Sequence, residues 1–410
     1  MYKSLLIKKQ ADSARFTVLP PALGIALSVS LFFISMGNNV HASTLNSIQR
    51  DKPVEANISA PDIDAKAWAI MEMNSGWVVS HKNGREPLPP ASITKLMANY
   101  VIFEKLKSGD IKFSDQVSIS EKAWRAEGSR MFADVNTRIE LKHLLKSTVI
   151  QSGNDAAIAL AEYVGGSELG FSQLMNQSAE KLGLLDTHYV NSTGLTAQGH
   201  DMSASDVTAL SAAIIRDFPD YYPWYAEKEY EHNDIRQTNR NRLLWKDSSI
   251  DGLKTGYTEA AGYCLVGTAK RNGQRWIAVV LGTAGVKERE AAVLSLLNYA
   301  FAAYQPVELL GEQGGLASAP VYGGEVDEVR LQASKSVNIV VPKGRESDVV
   351  TDLQFSPYFE APIEVGQAMG VASLSLDGKV IVDVPLIATS AIKPGGWWKR
   401  FTDSIRLRFK

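Results

Sequence analysis

Cysteine is nearly absent: Cys264 is the single thiol in 410 residues. One thiol forms no internal disulfide and lacks the partners a metal site needs. Flanked by Tyr263 and Leu265, it reads as a buried strand position. Stability must then come from core size, which suits a large domain. Hydrophobic residues make up 45% of the chain, enough for such a core. An excess of one charge sign is also missing. The net charge is −2, with Lys and Arg spread along the chain except at its end, so no global basic field points to nucleic acid. There are no internal repeats and no low-complexity tracts.

The N-terminus reads as a targeting segment. Lys3, Lys8, Lys9 and Arg15 precede an apolar stretch at 18–36, and Val40-His41-Ala42 gives a small-x-small cleavage context before Ser43. Residues 1–42 are therefore expected to be a long secretory signal peptide. The alternative is a retained transmembrane helix. Pro20 and Pro21 sit near the start of the run, and the remainder is about the minimum that spans a bilayer.

After a polar lead-in, residues 66–73 and 77–81 flank Asn74-Ser75-Gly76 and predict a hairpin. From 92 to about 107 the spacing of Leu96, Tyr100 and Phe103 predicts a helix with one apolar face. Helical periods return at 140–149, 155–164, 169–182 and 205–218. Residues 262–270 and 274–281 flank Asn272-Gly273, a type I′ hairpin signal, and a helix at 287–304 follows. Strands from both ends must meet in one sheet beside the helical block. This is an α+β architecture for residues 60–305.

Beyond it, runs at 337–342, 371–376 and 379–386, with Asp377-Gly378 as another hairpin turn, predict a small all-β domain, a sandwich, at 309–390. Residues 394–410 close the chain. On a helix, Trp398, Phe401, Ile405 and Phe409 form one stripe. Lys399, Arg400, Arg406 and Lys410 lie mostly elsewhere, and Asp403 is the only acid. Such a cationic amphipathic helix fits an anchor on an anionic membrane surface; docking on its own protein is the alternative.

Chemistry enters at Ser92-Ile93-Thr94-Lys95. A serine hydroxyl is a poor nucleophile until a base takes its proton, and residues i and i+3 of a helix share a face. The pattern S-x-x-K also occurs at 178–181 and 390–393. The former lies inside a helical run and the latter in the exit from the β-domain. Ser92 alone sits at a loop-to-helix junction, after Pro89-Pro90-Ala91. Ser152-Gly153-Asn154 lies between two helices and alone would be an ordinary turn. Lys254-Thr255-Gly256 precedes the 262–281 hairpin and alone would be a strand end. In this order the three make the set of serine β-lactamases and penicillin-binding proteins.

The sequence resembles the D-alanyl-D-alanine carboxypeptidases among the low-molecular-mass penicillin-binding proteins (serine peptidase family S11). The likeness includes Gln151-Ser152-Gly153-Asn154-Asp155-Ala156, Lys181-Leu182-Gly183-Leu184, Arg236-Gln237-Thr238-Asn239-Arg240-Asn241 and Asp251-Gly252-Leu253-Lys254-Thr255-Gly256. It runs from about 65 to 301, and more loosely through the β-domain and tail. The resemblance implies a β-lactamase/transpeptidase-like domain, an antiparallel sheet flanked by helices. It implies Ser92 as the acylated nucleophile and Lys95 as its general base. Ser152 and Lys254 would relay protons and orient the substrate. Asn154 and Thr255 would contact the substrate, and the N–H groups of Ser92 and Tyr257 would form the oxyanion hole. Gly256 completes the third motif. Arg240 and Arg289 resemble basic residues near the carboxylate end of the family's site. The implied partners are the peptidoglycan stem peptide and β-lactam antibiotics, with the protein on the periplasmic side of the inner membrane.

Physics allows these roles. Lys95 must be neutral to act as base, and burial together with a second ammonium at Lys254 would lower its pKa. Histidine, cofactor and metal are not required, and none of the six histidines falls in a motif. Two departures stand out. Tyr257 occupies the position after K-T-G, where relatives usually carry His. Residues 127–132 contain Gly128-Ser129-Arg130, without the adjacent serines of some relatives. The alternatives are a D,D-endopeptidase cutting cross-links, a β-lactamase, and a penicillin-binding scaffold without turnover. S-G-N in place of S-D-N separates the chain from β-lactamases.

Overall fold

A computed structural model describes residues 58–309 and 315–408, so the expected signal peptide lies outside the described residues. Ala67–Glu72 and Trp77–Lys82 form the first hairpin. Gly262–Arg271 and Gln274–Thr283 form another, turning at Asn272 (φ 49°) and Gly273 (φ 82°). A type I′ turn requires positive φ at both positions, which Asn-Gly tolerates. Gln274–Thr283 also pairs with Ala67–Glu72, and Ile250–Thr258 pairs with Gly262–Arg271. Strands from both ends of the domain thus make one five-stranded antiparallel sheet, with Ile250–Thr258 at an edge. Lys254, Thr255 and Gly256 lie on that edge strand.

The pleat sorts side chains to two cores. Ala67, Ala69, Met71, Val266, Ile277 and Val279 pack with the helices Lys95–Ser108, Leu141–Ile150, Asn154–Gly165, Glu168–Lys181 and Ala204–Asp217. Trp68, Ile70, Leu265, Trp276 and Val280 pack with the helix Val286–Ala303. Cys264 is fully buried in the first core, as expected.

Two local expectations change. The segment after Pro90 begins as a 3₁₀ turn, Ala91–Thr94, and the α-helix starts only at Lys95. That helix has no polar face in its first half: Lys95 to Phe103 are all buried, because it runs inside the helical block. A hairpin that periodicity did not reveal, Glu229–His232 with Ile235–Thr238, turns at Asn233 and Asp234, both at positive φ.

Tyr304–Leu309 pairs with Val337–Pro342, so the interval between the two expected domains is itself a strand. A six-stranded sheet follows, in the order Val350–Phe355, Ala368–Leu376, Lys379–Ala388, Glu328–Ala333, Ala317–Tyr322, Phe359–Glu360. The last pairing is parallel. The expected hairpin is present at Asp377-Gly378.

The final helix, Trp397–Arg408, lies on the β-domain through its one acid. Asp403 is 1% exposed, accepts from the Gly323 N–H (2.9 Å) and pairs with Lys399 (2.9 Å) and Arg406 (3.4 Å). Trp397 and Trp398, at 68% and 61%, together with Phe401 and Ile405, stay exposed. No helix among the described residues is long and apolar enough to cross a membrane.

Candidate active site

Ser92 sits on a strained turn. Ala91 has φ 49°, and Ser152, on the loop between two helices, has φ 70°. Non-glycine residues in this region cost on the order of 1–3 kcal/mol each and persist where surrounding packing fixes them. The packing here is specific. Gly194, at φ 86°, lies so close that a Cβ would overlap the Ala91 carbonyl. A Cβ on Gly256 would come 2.9 Å from the Pro90 oxygen and 3.2 Å from the Ala91 Cβ. The K-T-G strand therefore abuts the serine turn.

Lys95 is fully buried. Its Nζ lies 3.2 Å from Ser92 Oγ, 2.6 Å from Asn154 Oδ1 and 2.8 Å from the Thr193 carbonyl. Both of the latter atoms can only accept. The assignment of the Asn154 amide is fixed by its other end, where Nδ2 donates to the Glu127 carbonyl (2.6 Å). A neutral amine here must spend its two N–H bonds on Asn154 and Thr193. Its lone pair is then left for Ser92 Oγ.

Burial pushes Lys95 down to about 7; Asp155 and Glu168 oppose the shift and Arg240 adds to it. Burial also holds Lys254 well below its ordinary value, and Lys95, Arg240 and Arg289 lower it further. Repulsion between Lys95 and Lys254 thus acts alongside burial. Arg240 is a further cation acting on both amines.

The remaining expected residues divide. Ser152 Oγ is buried and has no hydrogen-bond partner among the described residues. Lys254 Nζ donates to the Thr255 carbonyl (3.1 Å). Arg240 is exposed, and its Nε donates to the Gln151 carbonyl (3.1 Å), beside Ser152. Arg289 lies elsewhere. It is buried behind the K-T-G strand and donates to the carbonyls of Gly256 (3.1 Å) and Cys264 (3.3 Å). Tyr257 is 54% exposed, with its ring tilted against that of Tyr263, the centroids 4.3 Å apart.

Residues 54–285 match the D-alanyl-D-alanine carboxypeptidase family, and residues 304–394 match the C-terminal domain of penicillin-binding protein 5. The chain belongs to the D-alanyl-D-alanine carboxypeptidase family. It is an enzyme of that class, a serine peptidase. It is 37% identical to the D-alanyl-D-alanine carboxypeptidase DacC of Escherichia coli K12, over 87% of this chain and 91% of that one. It is also 37% identical to DacA of the same strain, over 85% and 89%. A crystal structure of penicillin-binding protein 5 from Haemophilus influenzae superposes with a TM-score of 0.78 at 35% identity, covering 82% of this chain and all of that one.

Three parts of this carboxypeptidase site carry no motif of their own. Thr193 contributes only a carbonyl, which any residue could supply. Gly194 follows it, and its positive φ is a turn signal lost among many glycines. His200 bonds the back of the serine turn, with Nε2 2.7 Å from Thr94 Oγ1. Its Nδ1 accepts from the Val190 N–H (3.0 Å), so Nε2 carries the proton and donates to Thr94.

Proposed function

We propose that Ser92 attacks the carbonyl of the penultimate D-alanine in the peptidoglycan stem peptide. Its proton passes to the Lys95 lone pair, the tetrahedral intermediate breaks its C–N bond and expels terminal D-alanine as the acyl-enzyme forms, and water then hydrolyses that ester. The observation that carries this reading is the Lys95 environment, where burial favours the neutral amine and two carbonyl acceptors take its N–H bonds, leaving its lone pair aimed at Ser92 Oγ.

The N–H groups of Ser92 and Tyr257 stabilise the tetrahedral oxyanion. Ser152, whose hydroxyl has no partner among the described residues, hands the proton to the leaving amine, and Lys254 relays it. Asn154 and Thr255 align the substrate backbone, with Gly256 giving the serine turn room. Arg240, exposed at the rim, takes the terminal carboxylate. Arg289 supports the strand from behind and reaches the substrate only through it. A β-lactam presents the same acyl group and carboxylate and acylates Ser92.

The same reading places the enzyme on the periplasmic face of the inner membrane, exported by residues 1–42 and held by the exposed stripe of Trp397, Trp398, Phe401 and Ile405. Free D-alanine released from a pentapeptide, and a penicilloyl adduct mapped to Ser92 by mass spectrometry, test the chemistry. Turnover that survives Ser92→Ala, or an adduct on another serine, overturns it.

A further inference from the structure

We propose that Asp155 is a positioning residue for this reaction, its buried carboxylate holding residues 127–133 in place and, through Asn154, the amine of Lys95. The inference rests on the reading of Lys95 as base. Asp155 follows the S-G-N motif and is 1% exposed. Its Oδ1 accepts from the N–H of Met131 (3.0 Å) and Ala156 (2.8 Å), and its Oδ2 from Phe132 (3.0 Å) and Ala133 (3.2 Å). Three consecutive amides outside any helix or strand thus converge on one side chain.

A carboxylate suits this place because it offers acceptors alone. A carboxamide would aim its NH₂ at amide donors. Asn154 ties the same segment from its other side, with its N–H on the Ser129 carbonyl and its Nδ2 on the Glu127 carbonyl, each 2.6 Å. Its Oδ1 is left for Lys95. Two adjacent residues thus fasten residues 127–133 at five backbone atoms, and one of the two carries an acceptor that fixes Lys95. Phe132 is kept at φ 66°, a conformation a phenylalanine adopts only when held.

Asp155 also acts through space. It is the foremost group opposing the burial of Lys95. Removing its charge favours neutral Lys95, and a base that deprotonates more readily stays active at lower pH.

The test compares acylation by a fluorescent penicillin across pH for the wild type, Asp155→Asn and Asp155→Glu. In Asp155→Asn the plateau rate should fall about 10-fold or more, because the segment and Asn154 lose their anchor. The acid limb should also move down by about half a pH unit or more. Asp155→Glu keeps the charge but displaces it, so its plateau should fall while its limb stays near the wild-type position. A plateau unchanged in Asp155→Asn overturns the proposal wherever the limb lies, and a limb unmoved there overturns the through-space action. Should both variants fail to fold, hydrogen exchange on the wild type decides: slow exchange at Met131, Phe132 and Ala133 supports the anchor, and free exchange there overturns it. A wild-type enzyme without an acid limb near 7 would instead count against Lys95 as base.

Discussion

At Lys95 the reaction and the fold compete for one side chain. An ammonium at full burial is disfavoured, yet the amine has two fixed carbonyl partners, and about 7 is where burial and the opposing carboxylates balance. Below that value Lys95 is protonated and cannot accept from Ser92. Acylation by penicillin should therefore rise as pH passes upward through about 7, read as the pH dependence of the pre-steady-state rate. Lys95→Arg keeps charge and reach but cannot deprotonate, and should lose about 10²–10⁴-fold in acylation at every pH.

His200 shows the same balance at a residue outside the chemistry. Burial lowers it from 6.5 to about 4. Above 6.5 it is neutral in both folded and unfolded chains. Between 6.5 and 4 only the unfolded chain takes up the proton, so stability is lost as pH falls through that window, by about 3 kcal/mol at most. Urea unfolding at pH 7 and pH 4.5 measures it. The acid loss should be smaller in His200→Gln by most of that amount, and an equal loss in both proteins would exclude His200 as its source.

Among the elements, the serine turn depends on neighbours far away in sequence. Gly194→Ala would drive a methyl into the Ala91 carbonyl, so either the turn or the Thr193–Gly194 loop must move. Since Thr193 holds Lys95, both outcomes disturb the base. Acylation should fall about 100-fold, with the melting temperature lowered by several degrees; calorimetry beside the acylation assay checks both.

The same elements show what was legible beforehand. Asn272-Gly273 and Asp377-Gly378 announced their hairpins because turn chemistry is local. The helix periods lie within a few residues of the observed ends. The 3₁₀ turn at Ala91–Thr94 was not legible, because what holds it is Gly194 and Gly256, both more than ninety residues away. Nor was the burial of Arg289 behind a strand: an arginine bonded to carbonyls and one facing a substrate look alike in sequence. Ser92, Lys95, Ser152 and Lys254 stood out because side-chain chemistry was required of them. Thr193 did not, because its carbonyl is common to every residue.

For the whole molecule, the arrangement of the tail decides how the enzyme meets its surroundings. The sequence left open whether the last helix docks on its own protein or faces a membrane, and its geometry allows both at once. Asp403 anchors one side to Gly323, while the aromatic stripe points outward with Lys399 tied to Asp327. A helix fixed this way presents its Trp and Phe side chains in a constant orientation, and Arg400, Arg406 and Arg408 can meet anionic head groups beside them. A chain ending at Lys393 removes the stripe but leaves every described strand and every group in the active site. It should appear in the soluble fraction with kcat/KM on a soluble pentapeptide within about twofold of the full chain, because the helix touches only the edge of the β-domain. Sedimentation with anionic vesicles, followed by assay of pellet and supernatant, measures both quantities. Truncated enzyme that still pellets would exclude the helix as the anchor, and soluble enzyme with a collapsed rate would tie the helix to the fold.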